Sequence, residues 1–446
     1  MVDSLPRPRT RAILPVAPGE APKPRIAVWE LTLACDQACL HCGPRAGRAR
    51  PDELTTEECL ELVSELAQAG VGEVALIGGE AYLRNDFILI IRAVREHAMT
   101  CILTTGGYNL TRERAQAMVE AGISSVSVSI DGLQPTHDRL RNRPQSWARA
   151  MQALRFAREA GARVAVNTQI NALSWRELPE LLELVAREGI HGWQIQTTVA
   201  HGNAADHPEI LLQPFEYLEL FELLATVSAR CDALGIRLQA ANTLGYFGPH
   251  DHALRKHQNR HGHYLGCQAG RSTVAIESNG DIKTCPSLGG GRNVGGNWRE
   301  HGFARIWASA PQMQYTRQRT QDDLWGYCRS CYYASVCMGG CTSISEPLLG
   351  RPGNNPYCHH RALELAKQGL RERVERVASA KGEPFDNALF RVIREHADPE
   401  LREQHGPVLV EDPRISRAEV AYGPGYPVVL SGDGSVSSAG SGQTPA

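Results

Sequence analysis

From residue 26 to residue 198 the chain repeats one pattern: a short apolar run, a polar turn, then a longer segment with helical spacing. The apolar runs fall at 26–33, 74–77, 101–104, 125–130, 163–169 and 193–198. Helical spacing covers about 55–69, 86–97, 111–121, 147–160 and 175–188, the first opened by Thr55 or Thr56 with acidic residues in its opening turn. Runs that are apolar throughout belong to a parallel sheet covered by helices on its faces. Six such steps stop short of the eight of a closed barrel, so the spacing predicts an α/β fold built on a partial (β/α)6 barrel. Reactive groups in that architecture collect where strands end.

The strand ends carry the residues with chemistry. The first run leads into Cys35-x3-Cys39-x2-Cys42. One loop with this spacing can wrap an iron–sulfur cluster; three thiolates on a cubane of four irons leave one iron without a protein ligand, whereas electron-transfer clusters usually have four cysteines. A zinc site or unrelated buried thiols are the alternatives, although structural zinc usually takes four ligands. Gly78-Gly79-Glu80 follows the second run, Thr104-Thr105-Gly106-Gly107 the third, and Asp131-Gly132 the fourth. Taken singly, Gly78-Gly79-Glu80 reads as a turn, and Ser129 and Arg141 as ordinary polar residues.

Seven of the 13 cysteines lie in a second group: Cys267, Cys285, Cys328, Cys331, Cys337, Cys341 and Cys358. Clustered thiols in a reducing compartment read as metal ligands rather than disulfides. Cys59, Cys101 and Cys231 stand apart in periodic segments and read as buried, inert thiols. A net charge of −2 gives no sign of a nucleic-acid partner, and no apolar run approaches a membrane span. With no signal-peptide pattern at the start, a cytoplasmic location is expected. The expected organisation is a flexible Pro-rich lead-in at 1–25, the barrel at 26–235 and a Gly-, His- and Asn-rich link at 236–263. A small cysteine-rich domain follows at 264–360, then a helical extension at 361–430 with helices over about 360–380 and 385–396, and a disordered tail at 431–446.

In combination, Cys35/Cys39/Cys42, Gly78-Gly79-Glu80 and Ser129-Ile130-Asp131-Gly132 with Arg141 resemble the radical S-adenosylmethionine superfamily over about residues 26–198. The resemblance implies a [4Fe–4S] cluster on the three cysteines whose free iron is chelated by S-adenosylmethionine. Reductive cleavage would give a 5′-deoxyadenosyl radical that abstracts hydrogen from substrate. Gly78, Gly79 and Glu80 would hold the methionine amine, and Ser129 and Arg141 the ribose or carboxylate end. Ala81, where proline often follows the Gly-Gly-Glu, and His41, where an aromatic is common, depart from the pattern. Residues 264–360 resemble the SPASM auxiliary-cluster domain in their seven-cysteine order. By that resemblance Cys328, Cys331, Cys337 and Cys358 would hold one auxiliary cluster, expected as [4Fe–4S], and Cys267, Cys285 and Cys341 the other. Where some members supply an eighth cysteine this chain has Arg271, Ser272 and Thr273. The second cluster is therefore expected to have an open iron, on which substrate could sit, or a non-cysteine ligand such as a histidine.

SPASM enzymes imply a peptide or protein substrate, and the expected activity is that of a maturase forming a C–C or C–heteroatom crosslink in a ribosomally made peptide. Pro286 stands where sulfatase-maturing enzymes carry an aspartate base, which argues against that activity. A separate leader-binding chain or residues 360–430 would hold a leader peptide, an arrangement resembling the pyrroloquinoline-quinone peptide cyclases. Flavodoxin or ferredoxin is the expected electron donor. The alternatives are a small-molecule enzyme, for example in tetrapyrrole side-chain chemistry, and a non-catalytic iron–sulfur scaffold. Asn167, Gln169, Gln194 and Gln196 are candidate cavity residues. Tyr332 and Tyr333 are expected to pack around a cluster, and His359 and His360 to pack or to ligate.

Overall fold

The computed structural model describes residues 22–259 and 261–411 and two short paired strands, Val429–Leu430 and Val436–Ser437. The lead-in as far as residue 21, and the tail from 431 apart from Val436–Ser437, lie outside the described residues.

Seven strands run parallel in chain order: β1 (Ile26–Glu30), β2 (Glu73–Ile77), β3 (Thr100–Thr105), β4 (Ser125–Ser129), β5 (Arg163–Ile170), β6 (Gly192–Thr197) and β7 (Arg237–Ala240). The first six are the expected ones. The connecting helices bury their apolar stripes on the sheet; Thr56–Gln68, for example, buries Cys59, Leu62, Val63 and Leu66. Thr55 is its N-cap, in a reciprocal capping box with Glu58. The barrel is open, and β7 falls in the segment read as a link. Its four residues, Arg-Leu-Gln-Ala, are too few and too polar to register as an apolar run.

On its other edge, β1 pairs in parallel with β8 (Thr273–Ile276), and β9 (Asp281–Lys283) and β10 (Val294–Asn297) follow antiparallel. All ten strands form one sheet in the order β10-β9-β8-β1-β2-β3-β4-β5-β6-β7. The cysteine-rich region is thereby continuous with the barrel. Arg50 adds a clamp at this junction, reaching Glu30 at 3.0 Å and Glu277 at 3.2 Å.

The C-terminal extension is corrected. A helix spans only His359–Ala366; β11 (Leu370–Ala378), β12 (Leu389–His396) and β13 (Val408–Glu411) then form an antiparallel sheet. Gly369, at φ +68°, stops the helix in a conformation that favours glycine. The Arg/Glu-rich strands read as helical by composition, but their charges pair across the ladder, as in Arg391–Glu375 and Arg394–Glu372, both at 2.6–2.8 Å. Among the described residues no helix is long and apolar enough to cross a membrane.

Candidate active site and cysteine nests

Beyond β1 the chain bends at Leu33, and Ala34 bridges to Gly47 at the start of the cysteine loop. The turn after β2 bonds directly to this stretch: Gly79 N donates to Thr32 O at 2.8 Å and Glu80 N to Ala34 O at 2.7 Å. A Cβ at Gly78 would lie 2.4 Å from Thr32 O, and one at Gly79 would lie 2.1 Å from Ala34 O. Both glycines are required by this close approach, which fixes the base of the Cys35–Cys42 loop. Glu80 is buried beside it. Its carboxylate accepts from Thr105 Oγ1 and from Gly106 N. Burial pushes its pKa up to about 8 despite those bonds. A cationic amine entering this site would favour the ionised form.

Arg141 closes the helix Gln134–Arg141 and turns inward. Its Nη1 lies 3.8 Å from Cys39 Sγ and its Nη2 lies 2.6 Å from Asp131 Oδ2. Asp131 also faces His41 Nε2 at 3.1 Å and accepts Gln169 N at 2.9 Å. Burial alone would raise the Asp131 carboxyl; Arg141 and His41 instead hold it well below the usual carboxylate range. The result is a buried relay, His41–Asp131–Arg141–Cys39, that keeps a cation against a thiol. Asp131 was legible only as part of the quoted motif; its pairing with residues ten positions and ninety positions away was not.

Ser129 lies elsewhere, on β4. Strands β4 to β7 each bury one row of side chains and leave the alternate row partly accessible. Ser129, Asn167, Gln194 and Gln239 stand next to one another in register across the four strands, and Gln169 stands beside Gln196. Residues in register share a face. Toward the strand ends the accessible face therefore carries a group of neutral amides, Asn167, Gln169, Gln194, Gln196 and Gln239, with Ser129 beside them. Among the described residues Asn167 Oδ1 is buried with no hydrogen-bond partner. Gln239 escaped the sequence reading because it sits on β7.

The later cysteines gather into two groups. Cys267, Cys285 and Cys341 line one cavity, and Cys328, Cys331, Cys337 and Cys358 line another. This is the partition expected from the resemblance. Tyr333 and His360 line the four-thiol cavity, Tyr333 stacking on Phe247 at 4.2 Å. Tyr332 is 87% exposed, meets the Tyr333 ring edge-on and does not line the cavity, and His359 stacks on Phe221 instead of facing the thiols. Among the described residues no histidine lines the three-thiol cavity.

Burial raises every one of these thiols, Cys39 and Cys358 to about 12 and Cys341 to about 11. A buried thiol so shifted keeps its proton and is inert, unless a metal takes the proton's place. Two groups of such thiols, each lining one cavity, and a third set on one short loop fit iron–sulfur clusters. Cys59, Cys101 and Cys231 are equally buried but solitary, as expected.

One neighbour of the cysteine loop was not foreseen. The β11–β12 connection is strapped to it: Phe385 N donates to Gly43 O at 3.0 Å, Asp386 pairs with Arg45 at 2.8 Å, and the Phe385 ring stacks on His201. His201 in turn leaves no room for a Cβ on Gly43.

Comparison with known proteins agrees with this anatomy. Residues 29–185 match the radical SAM superfamily, and residues 267–332 match SPASM, an iron–sulfur cluster-binding domain. The chain is 27% identical over 359 residues to the AdoMet-dependent heme synthase of Nitratidesulfovibrio vulgaris, covering 77% of this chain and 95% of that protein. It is 28% identical over 348 residues to the mycofactocin maturase MftC of Mycobacterium ulcerans, covering 75% and 88%. The fold is similar to that of Streptococcus suis SuiB bound to S-adenosylmethionine, with a TM-score of 0.59 at 17% identity over 75% of this chain and 76% of that one. The open parallel sheet, the Cys35–Cys42 loop at its first strand end and the cysteine domain continuing its edge are those of a radical SAM enzyme with a SPASM domain.

Proposed function

We propose that this radical SAM enzyme modifies a ribosomally made peptide, forming a crosslink at an unactivated carbon. The observation that carries the reading is the row of amides Asn167, Gln194 and Gln239 along the accessible strand face. Each amide offers both a donor and an acceptor, the complement of a peptide backbone. The match to a mycofactocin maturase and the likeness to SuiB, also solved with its precursor peptide SuiA, support the same substrate class.

In this reading Cys35, Cys39 and Cys42 hold a [4Fe–4S] cluster. With S-adenosylmethionine bound, that centre supplies a 5′-deoxyadenosyl radical for hydrogen abstraction. Glu80 would accept hydrogen bonds from the methionine amine, with Gly78 and Gly79 letting the backbone approach. Ser129 would face the ribose. Arg141, anchored by Asp131, would sit between the carboxylate end and Cys39. Cys328, Cys331, Cys337 and Cys358 would hold a second cluster and Cys267, Cys285 and Cys341 a third, serving as electron acceptors for the product radical. A flavodoxin or ferredoxin would deliver the starting electron, and the cytoplasm would be the compartment.

A second reading, tetrapyrrole side-chain chemistry, is favoured by the likeness to heme synthases over nearly their full length. The two differ in a direct assay. Anaerobic incubation with co-expressed candidate precursor peptides, followed by mass spectrometry, should show loss of two hydrogens from one peptide. Gln194→Ala should weaken that turnover by about tenfold, the value of one to two hydrogen bonds. Modification of an iron-porphyrin propionate, with every peptide unchanged, would select the second reading.

A further inference from the structure

The two auxiliary nests are not equivalent. One presents four thiols and the other three. The three-thiol cavity is also lined by Glu346 and Gln312. Glu346 lies on the helix Thr342–Leu349, for which Cys341 is the N-cap, and it is only 3% exposed. A buried carboxylate needs a strong reason to be there.

Its hydrogen bonds are lopsided. Arg292 Nε and Nη2 reach Glu346 Oε1 at 3.1 and 2.8 Å, and Asn293 Nδ2 reaches the same oxygen at 2.9 Å. A guanidinium fork usually spans both oxygens of a carboxylate. Here both nitrogens meet on one, and among the described residues Oε2 accepts no hydrogen bond. Metal-ligating carboxylates show this division of labour, with neighbouring donors steadying the group that binds the metal.

We infer that Glu346 is the fourth protein ligand, through Oε2, of the cluster held by Cys267, Cys285 and Cys341. The inference rests on the reading of that nest as a cluster site. It replaces the expectation of a histidine, and it leaves that cluster without an open iron for substrate. Gln312 is the competitor: its Oε1 is buried without a hydrogen-bond partner among the described residues. A neutral amide oxygen is the weaker donor to a cationic iron, and it lacks the flanking cation that holds Glu346 in place.

The test uses the full chain carrying Cys35→Ala, Cys39→Ala and Cys42→Ala, reconstituted anaerobically with ferrous iron and sulfide, so that only the two nests are loaded. Glutamate labelled with carbon-13 at the side-chain carboxyl is incorporated during expression. Pulsed electron–nuclear double resonance on the reduced protein should show a carbon-13 coupling to an auxiliary cluster, lost in Glu346→Gln and kept in Gln312→Leu. Absence of that coupling before any change at Glu346 overturns the inference. So does its persistence in Glu346→Gln. Labelled cyanide provides a second arm: it should bind an auxiliary cluster only after Glu346→Gln, and binding with Glu346 intact overturns the inference. Failure of the underlying reading looks different, as iron and sulfide for one cluster per chain instead of two.

Discussion

Arg141 is the residue on which the candidate site turns. It is a buried cation held between Cys39 and Asp131, and neither partner is comfortable without it. Removing one member of a buried pair leaves an uncompensated charge, at a cost of roughly 3–5 kcal/mol. Arg141→Ala should therefore destabilise the apo-protein by about that much in urea denaturation. The double change with Asp131→Asn should cost clearly less than the sum of the two single changes; additive costs would mean the pair is not coupled.

His201 offers a pH test at the same scale. Burial holds its imidazole neutral down to about pH 4, against an ordinary value of 6.5. Between those values the unfolded chain binds the extra proton, so the stabilising contribution is complete above pH 6.5 and is lost as pH falls toward 4. The loss is on the order of 3 kcal/mol. Thermal unfolding of His201→Gln relative to the unaltered chain should show this difference closing over that window; a pH-independent difference would contradict it.

At the scale of elements, the glycines after β2 are structural before they are catalytic. They let the turn lie against Thr32–Ala34, and so they set the cysteine loop. Gly79→Ala should lose most of the iron bound at Cys35, Cys39 and Cys42, while the two nests behind β8 keep theirs; iron analysis against the triple cysteine variant measures it. Equal loading in Gly79→Ala would show that the turn does not shape the loop.

Elements were legible where burial and periodicity agree. Strands β1 to β3 are short, largely apolar runs and β4 to β6 alternate buried apolar with polar residues, all between helices, and they stand where the spacing puts them. Strand β7 has only Leu238 and Ala240 to bury, so it gave no periodic signal. Strands β11 and β12 are rich in Arg and Glu, residues that favour helices, and only cross-strand pairing reveals the ladder. The strap of Phe385 and Asp386 on Gly43 and Arg45 joins residues more than 340 positions apart, and no local pattern announces it.

For the whole molecule, the legible part was the grouping of cysteines, because thiol spacing reports on one loop at a time. The illegible part was how the groups relate. One sheet carries both regions: β8 extends the barrel strands beside β1, and Arg50 ties Glu30 to Glu277 across the joint. The Cys35–Cys42 loop and the three-thiol nest therefore belong to a single frame. The row formed by Ser129 and the amides of β5 to β7 became visible only through register, since its members are spread over more than a hundred residues.

The measurement that bears most directly on this account is S-adenosylmethionine cleavage by the anaerobically reconstituted chain. With dithionite and S-adenosylmethionine, it should form 5′-deoxyadenosine and methionine, detected by liquid chromatography and mass spectrometry. Cys39→Ala should abolish the product, and Glu80→Gln should reduce it by about tenfold, the value of a charge-assisted hydrogen bond. No 5′-deoxyadenosine from fully iron-loaded protein, or an undiminished yield from Cys39→Ala, would contradict the assignment of this loop as the radical-generating centre.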